Sequence, residues 1–260
     1  MAKLDIVNFK LDKNIPIPLY YQLKQQIIRE ITNNRLKPGD SIPTEEEFSR
    51  ALNISRPTIR QALGELVNEG YIYRLKGKGT FVSPPKIDEL FFQKLESFND
   101  EMIKKGLKPS TRVLDLNVIP GIARINKMLN IPLEEKLVYL FRLRFANDEP
   151  IVYVETYLPY KDCPGIIEED FTRGSLYRIL EEKYNKRIVR ATRKIEAVNA
   201  SKEDAKLLGI KNNDAILFVR TVAYDWYGTP TEYSEARYRG DRNQFSVDLV
   251  RSNGNNHTNQ

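Results

Sequence analysis

The apolar residues of this chain change their spacing at Gly70, and that change limits what its first third can fold into. Ile59, Ala62, Leu63, Leu66 and Val67 recur at the three- and four-residue steps of a helix. Past Gly70, Tyr71-Ile72-Tyr73 and Thr80-Phe81-Val82 read as strands on either side of a basic glycine turn, Lys76-Gly77-Lys78-Gly79. A helix that runs straight into a β-hairpin leaves few small folds open. Ser55 caps that helix, Pro57 sits in its first turn where a missing N–H costs nothing, and Gly70 closes it.

Two more helices precede it. Leu19, Leu23, Ile27, Ile28 and Ile31 follow Pro16-Ile17-Pro18 at helical spacing until Asn33-Asn34 and the turn Lys37-Pro38-Gly39-Asp40. Thr44 with Glu47 three residues on forms a capping box, and Phe48, Ala51 and Leu52 make the stripe of a short helix that ends at Asn53. Two short helices with a tight link, the second opening on a basic and sparsely apolar turn, is the layout of a helix-turn-helix that enters the major groove. Arg56 and Arg60 share one face, away from Ile59 and Leu63, with Thr58 and Gln61 beside them. Arginine suits guanine O6/N7 and phosphate oxygens, although a helix face like this also reads as merely solvated. The hairpin decides: its cationic tip and glycines let backbone amides approach a phosphate or the tip enter a minor groove. The expected contacts with double-stranded operator DNA are Arg56, Thr58, Arg60 and Gln61 on the helix and Lys76, Gly77, Lys78 and Gly79 on the wing.

Charge and composition agree. The 260 residues carry a net charge of +6, and residues 1–84 hold 13 basic against 9 acidic side chains, so most of the excess lies in this first part. A Pro-Pro pair at 84–85 marks a break. The reading is a winged helix-turn-helix domain over 1–82, a linker over 83–93, a second domain over 94–250 and a disordered tail over 251–260. In the second domain, residues 113–120, 137–146, 150–159, 187–198, 215–224 and 231–239 are strand-like. Helical patterns fall at 95–106, 122–130, 175–184 and 201–210, and turns at Asn147-Asp148 and Trp226-Tyr227-Gly228 predict a largely antiparallel α+β arrangement.

Cys163 is the only cysteine and His257 the only histidine, which excludes an intrachain disulfide, a thiol-rich metal site and a Cys–His pair. No cofactor or metal is expected. No run approaches the roughly 18 apolar residues of a membrane span and no signal peptide is evident, so a cytoplasmic protein without a membrane partner is expected. Cys163 reads as an ordinary turn residue, and the tyrosines at 139, 153, 157 and 224 as sheet packing.

Arg142 and Arg144 stand two apart on a strand, which puts both on one face about 7 Å apart. That spacing fits a phosphate or carboxylate held by charge-assisted bonds, and equally a pair of salt bridges on a solvated face. Gly174-Ser175 opens a helix, a ready anion site, with Tyr177 in its first turn.

Several of these segments carry a family resemblance. PLYYQLKQQIIREI, LKPGDSIPTEEEFS, SRPTIRQALGELVNEGYIYRLKGKGTFV and YRGDR resemble the GntR family of bacterial regulators, HutC-like branch, over about residues 15 to 250. The resemblance implies a UTRA effector domain of chorismate-lyase-like fold and a homodimer on a pseudo-palindromic operator. It further implies release by a small anionic effector, a phosphorylated sugar, with amino-sugar phosphates such as glucosamine 6-phosphate or N-acetylglucosamine 6-phosphate foremost. It assigns the effector to Phe98, Asn99, Arg142, Arg144, Ser175, Tyr177, Glu232 and Tyr238. Counting from Pro150 puts Val154 at the family's acidic sugar-binding position, so Glu155 joins the effector residues only if a bulge corrects the register. Glu46 stands where many relatives have Arg. Because the fold is shared with a lyase acting on an aromatic acid, an enzyme attached to a DNA-binding domain is the other reading.

Overall fold

Helix α1 (Leu19–Thr32), strand β1 (Ser41–Ile42), helices α2 (Glu45–Leu52) and α3 (Arg56–Asn68), and the hairpin β2 (Ile72–Leu75) and β3 (Gly79–Val82) follow one another as the change of period predicts. They belong to a computed structural model that describes residues 6, 9–84, 86–88 and 97–247. The chain divides into two units, the second beginning at Asp88, and a short strand β4 (Ile87–Asp88) spans that boundary. The 83–93 linker lies partly, and the 251–260 tail with His257 wholly, outside the described residues.

In the first unit the predicted caps form. Thr44 and Glu47 make a reciprocal capping box, Ser55 accepts from Thr58 N, and Asn53 ends α2 in the left-handed region with φ +51°. Leu23, Ile27, Phe48, Ile59, Leu63 and Leu66 pack with Ile72 and Val82 into one core. The order β1-β3-β2 is antiparallel. Lys24, buried on α1, reaches Glu65 at 2.8 Å and Glu69 at 2.6 Å on α3 and ties the two helices together.

The second unit is built on a six-stranded antiparallel sheet. Its strands are β5 (Pro109–Ile119), β6 (Leu137–Ala146), β7 (Glu149–Pro159), β8 (Ile188–Asn199), β9 (Ala215–Asp225) and β10 (Pro230–Arg239), in the order β5-β6-β7-β10-β9-β8; a two-residue strand β11 (Asn243–Gln244) follows. Alternation gives the sheet two different faces. Helices α5 (Ala123–Leu129) and α7 (Lys202–Leu208) cover one through Ile125, Leu129 and Leu208. On the other, Val138, Leu140 and Leu158 pack under Phe171 and helix α6 (Leu176–Tyr184), and helix α4 (Phe98–Lys104) lies near β5.

YRGDR serves the architecture. Arg239 donates to the carbonyls of Pro150 (3.1 Å) and Leu208 (3.4 Å) and pairs with Asp241 (2.8 Å) and Glu149 (3.0 Å), while Arg242 also binds Glu149. The motif anchors the end of β10 to the β6–β7 hairpin. Among the described residues no helix is long and apolar enough to cross a membrane.

Candidate functional site

Arg56, Arg60 and Gln61 are exposed on the first turns of α3, as the helical spacing predicts. Thr58 is half-buried, its hydroxyl 2.7 Å from that of Ser55, so it supports the cap as well as facing outward. Two carboxylates stand among these arginines: Glu45, which sequence reasoning missed, and Glu46, which it noted only as standing where many relatives have Arg. Glu45 takes Arg60 in a two-pronged contact (3.1 and 2.9 Å) and approaches Arg74 of the wing at 3.9 Å; Glu46 pairs with Arg50 (3.1 Å) and Arg56 (3.7 Å). The Arg60 hydrogen bond holds the Glu45 carboxyl below its ordinary range. At the wing tip Lys76, Gly77, Lys78 and Gly79 are all exposed, with φ +74° at Gly77 and +120° at Gly79, conformations that only glycine takes without strain. The Tyr73 and Phe81 rings, 5.7 Å apart, brace the hairpin below.

In the second unit a cavity of about 130 Å³ opens on the sheet face under α4 and α6. It brings together Phe98, Asn99, Arg142, Arg144, Ser175, Tyr177, Glu232 and Tyr238 from four separate stretches of chain. Arg142 and Arg144 face it from β6 opposite Val154 and Val152 of β7. Arg142 is only 3% exposed. Its Nη2 reaches the Thr156 hydroxyl at a long 3.4 Å, and its Nε has no partner. Burial, then the neighbouring Arg144, push its pKa well below the usual guanidinium range. Arg144 lies over the Phe98 ring at 5.0 Å. Ser175 is the N-cap of α6 but makes no capping bond, so its hydroxyl is left for the cavity. Gly174 permits that approach, since a Cβ there would lie 2.7 Å from the Asp170 carbonyl. Burial, then Glu232, raise the Tyr177 phenol far above its usual range, and Glu232 itself is buried with Oε2 unpartnered.

Glu155 does not belong to this set. β7 does carry a bulge, the extra residue Ile151 between the pairs Phe145–Pro150 and Arg144–Val152. Its effect is the reverse of a correction: continuing the hairpin register without it would turn Glu155 toward the cavity, whereas with it Val152 and Val154 face in. Glu155 sits on the opposite face, accepting from the Tyr139 hydroxyl at 2.8 Å and facing Arg237 at 3.6 Å. Conversely, Thr111, Arg193, Thr221 and Ser234 line the cavity and were not singled out from the sequence. Strand alternation assigns each a face, but only the strand order brings those faces together. Among the described residues no group of three or more His, Cys, Asp or Glu is arranged to hold a metal.

The bacterial regulatory protein domain of the gntR family matches residues 19–82, and the UTRA domain matches residues 104–244. The chain belongs to the GntR family. This GntR-family protein is 36% identical over 235 residues to the HTH-type transcriptional repressor NagR of Bacillus subtilis strain 168, covering 90% of this chain and 96% of the relative. It is 29% identical to the mannosyl-D-glycerate transport/metabolism system repressor MngR of Escherichia coli K12, over 88% and 95% of the two chains. In fold it resembles PhnF from Mycobacterium smegmatis, with a TM-score of 0.63 at 24% identity over 87% of this chain and 98% of that one. As a GntR-family protein it is a DNA-binding transcriptional regulator with an effector domain, and not an enzyme.

Proposed function

We propose that this regulator is a repressor that binds a pseudo-palindromic operator as a homodimer and leaves it when a small phosphorylated sugar fills the cavity. Arg142 carries the reading. A buried cation whose protein partners amount to one long hydrogen bond and the Phe171 ring at 5.9 Å is costly, by several kcal/mol in general, and an anion that supplies the missing partners removes that cost. Arg144, the Ser175 hydroxyl and the N-terminus of α6 converge on the same space and suit the three oxygens of a phosphate. Asn99 and Tyr238 supply polar groups around it, Phe98 a ring, and Glu232 an acceptor for a sugar hydroxyl or amine. NagR and MngR are both named as repressors, which favours that sign of regulation.

On the DNA side, Arg56, Arg60 and Gln61 read the major groove, Thr58 positions the helix start, and the Lys76–Gly79 tip takes phosphate or minor groove. Effector binding need favour one arrangement of the DNA-binding units by only about 1–3 kcal/mol to change operator affinity about 5–150-fold.

A thermal-shift series with glucosamine 6-phosphate, N-acetylglucosamine 6-phosphate and glucose 6-phosphate, run alongside operator release, tests the reading. A ligand at 100 times its dissociation constant adds about 2.7 kcal/mol of stability. Absence of any shift with millimolar sugar phosphates overturns it.

A further inference from the structure

The cavity has a second cationic end. Arg193 faces it from β8, where it pairs with Thr221 of β9; Thr221 pairs with Ser234 of β10, Ser234 with Thr156 of β7, and Thr156 with Leu140 of β6. Arg193 therefore stands four strand spacings, about 19 Å of backbone, from the strand that bears Arg142 and Arg144. Both side chains are long and point into one space, and the Tyr177 phenol between them feels the positive charge of Arg142 and Arg193 alike. Between the two ends lies Glu232, 4% exposed, with an oxygen that no protein donor meets. The order across the cavity is thus cation, buried acceptor, cation.

A monophosphate seated on Arg142 and Arg144 occupies one end of that series. We propose that the effector is a sugar phosphate carrying a carboxylate at the far side from its phosphate, the carboxylate on Arg193 and an intervening hydroxyl or N–H on Glu232. This rests on the phosphate reading above and narrows it to phosphorylated sugar acids, acid-substituted amino sugars included. A carboxylate facing a guanidinium in a partly buried site forms charge-assisted hydrogen bonds that a neutral hydroxyl at the same place cannot equal.

Two ligand pairs test it on the full-length protein by calorimetry: gluconate 6-phosphate against glucitol 6-phosphate, and N-acetylmuramate 6-phosphate against N-acetylglucosamine 6-phosphate. Members of each pair share the phosphate and differ in the acid group. The expected result is that in at least one pair the acid binds about tenfold or more tightly, and that Arg193→Gln removes this preference while leaving the affinity of the neutral member unchanged. Melting temperature and operator affinity of R193Q serve as folding controls. Equal affinities within both pairs, or an R193Q variant that weakens both members alike, overturn the second subsite while the phosphate site stands. If no member of either pair binds, the phosphate reading fails and this inference with it. Should R193Q not fold, R193K is used: it keeps the charge without the planar fork, so a preference retained in reduced form supports the subsite and an unaltered one counts against it.

Discussion

The Arg60 guanidinium lies along the Glu45 carboxylate, its Nε 3.1 Å and its Nη2 2.9 Å from Oε2. A carboxylate on a DNA-facing surface is repelled by phosphate, so its presence there needs a compensating role, and holding the plane of a base-reading arginine is one. Glu45→Gln is expected to tighten non-specific DNA binding by removing a negative charge, and to narrow discrimination between operator and single-base variants about threefold or more. The carboxyl pKa lies below its ordinary 4.5, so the pairing is present above that value and lost only as pH falls through the lowered one. The effect of the variant is therefore constant across neutral pH. Competition binding on an operator library checks it, and an unchanged specificity ratio at matched salt would remove Glu45 from any reading role.

Arg60 and Lys78 should fail in different ways. Arg60→Ala weakens operator binding about tenfold or more and relaxes preference at one position. Lys78→Ala weakens operator and random DNA alike and lowers the salt slope by about one. Titrations at three salt concentrations separate them. A wing variant that changes sequence preference only would make the tip a base reader.

Arg142 is expected to trade stability for function. Arg142→Met removes a poorly compensated buried cation, so the ligand-free protein should melt higher, by about 2–4 °C for each kcal/mol gained, while losing the shift induced by sugar phosphate. Replacing both Arg142 and Arg144 by Ala should leave operator affinity near normal and weaken the effector about a hundredfold or more. The opposite pattern, a lower melting temperature with effector response retained, would mean that these are structural ion pairs.

Gly174→Ala places a Cβ 2.7 Å from the Asp170 carbonyl and 3.0 Å from Ile179 Cδ1, and the first of these is backbone. The start of α6 must shift, at a cost of about 1–3 kcal/mol. Urea denaturation is expected to show the loss together with weaker effector binding. Unchanged effector affinity in the folded variant would show that the helix start does not touch the ligand.

Local chemistry was legible in the sequence. The Thr44–Glu47 box, the Ser55 cap, the glycine wing and the six strands of the second unit are written in side-chain type and spacing, and the structure moves their ends by only a few residues. Long-range pairing was not. Arg193 gives no signal in RIVRATRKIEAV, because its place in the cavity depends on β8 lying beyond β9 and β10 from β6. Glu45 opens α2 as an acid in its first turn, and only the packing of α2 on α3 sets it against Arg60. YRGDR announced itself as a motif, yet nothing local shows that Arg239 reaches across to Pro150.

Ile151 has a consequence for how ligand preference evolves in such a sheet. Because Ile151 is bulged out of the ladder, Val154 rather than Glu155 faces inward, and the same strand with Ile151 drawn into regular pairing would slip by one residue and bring an acid into an apolar wall without altering a single codon of β7. Descendants that differ only in whether that bulge forms would then answer to different metabolites, while appearing almost identical wherever their sequences are aligned.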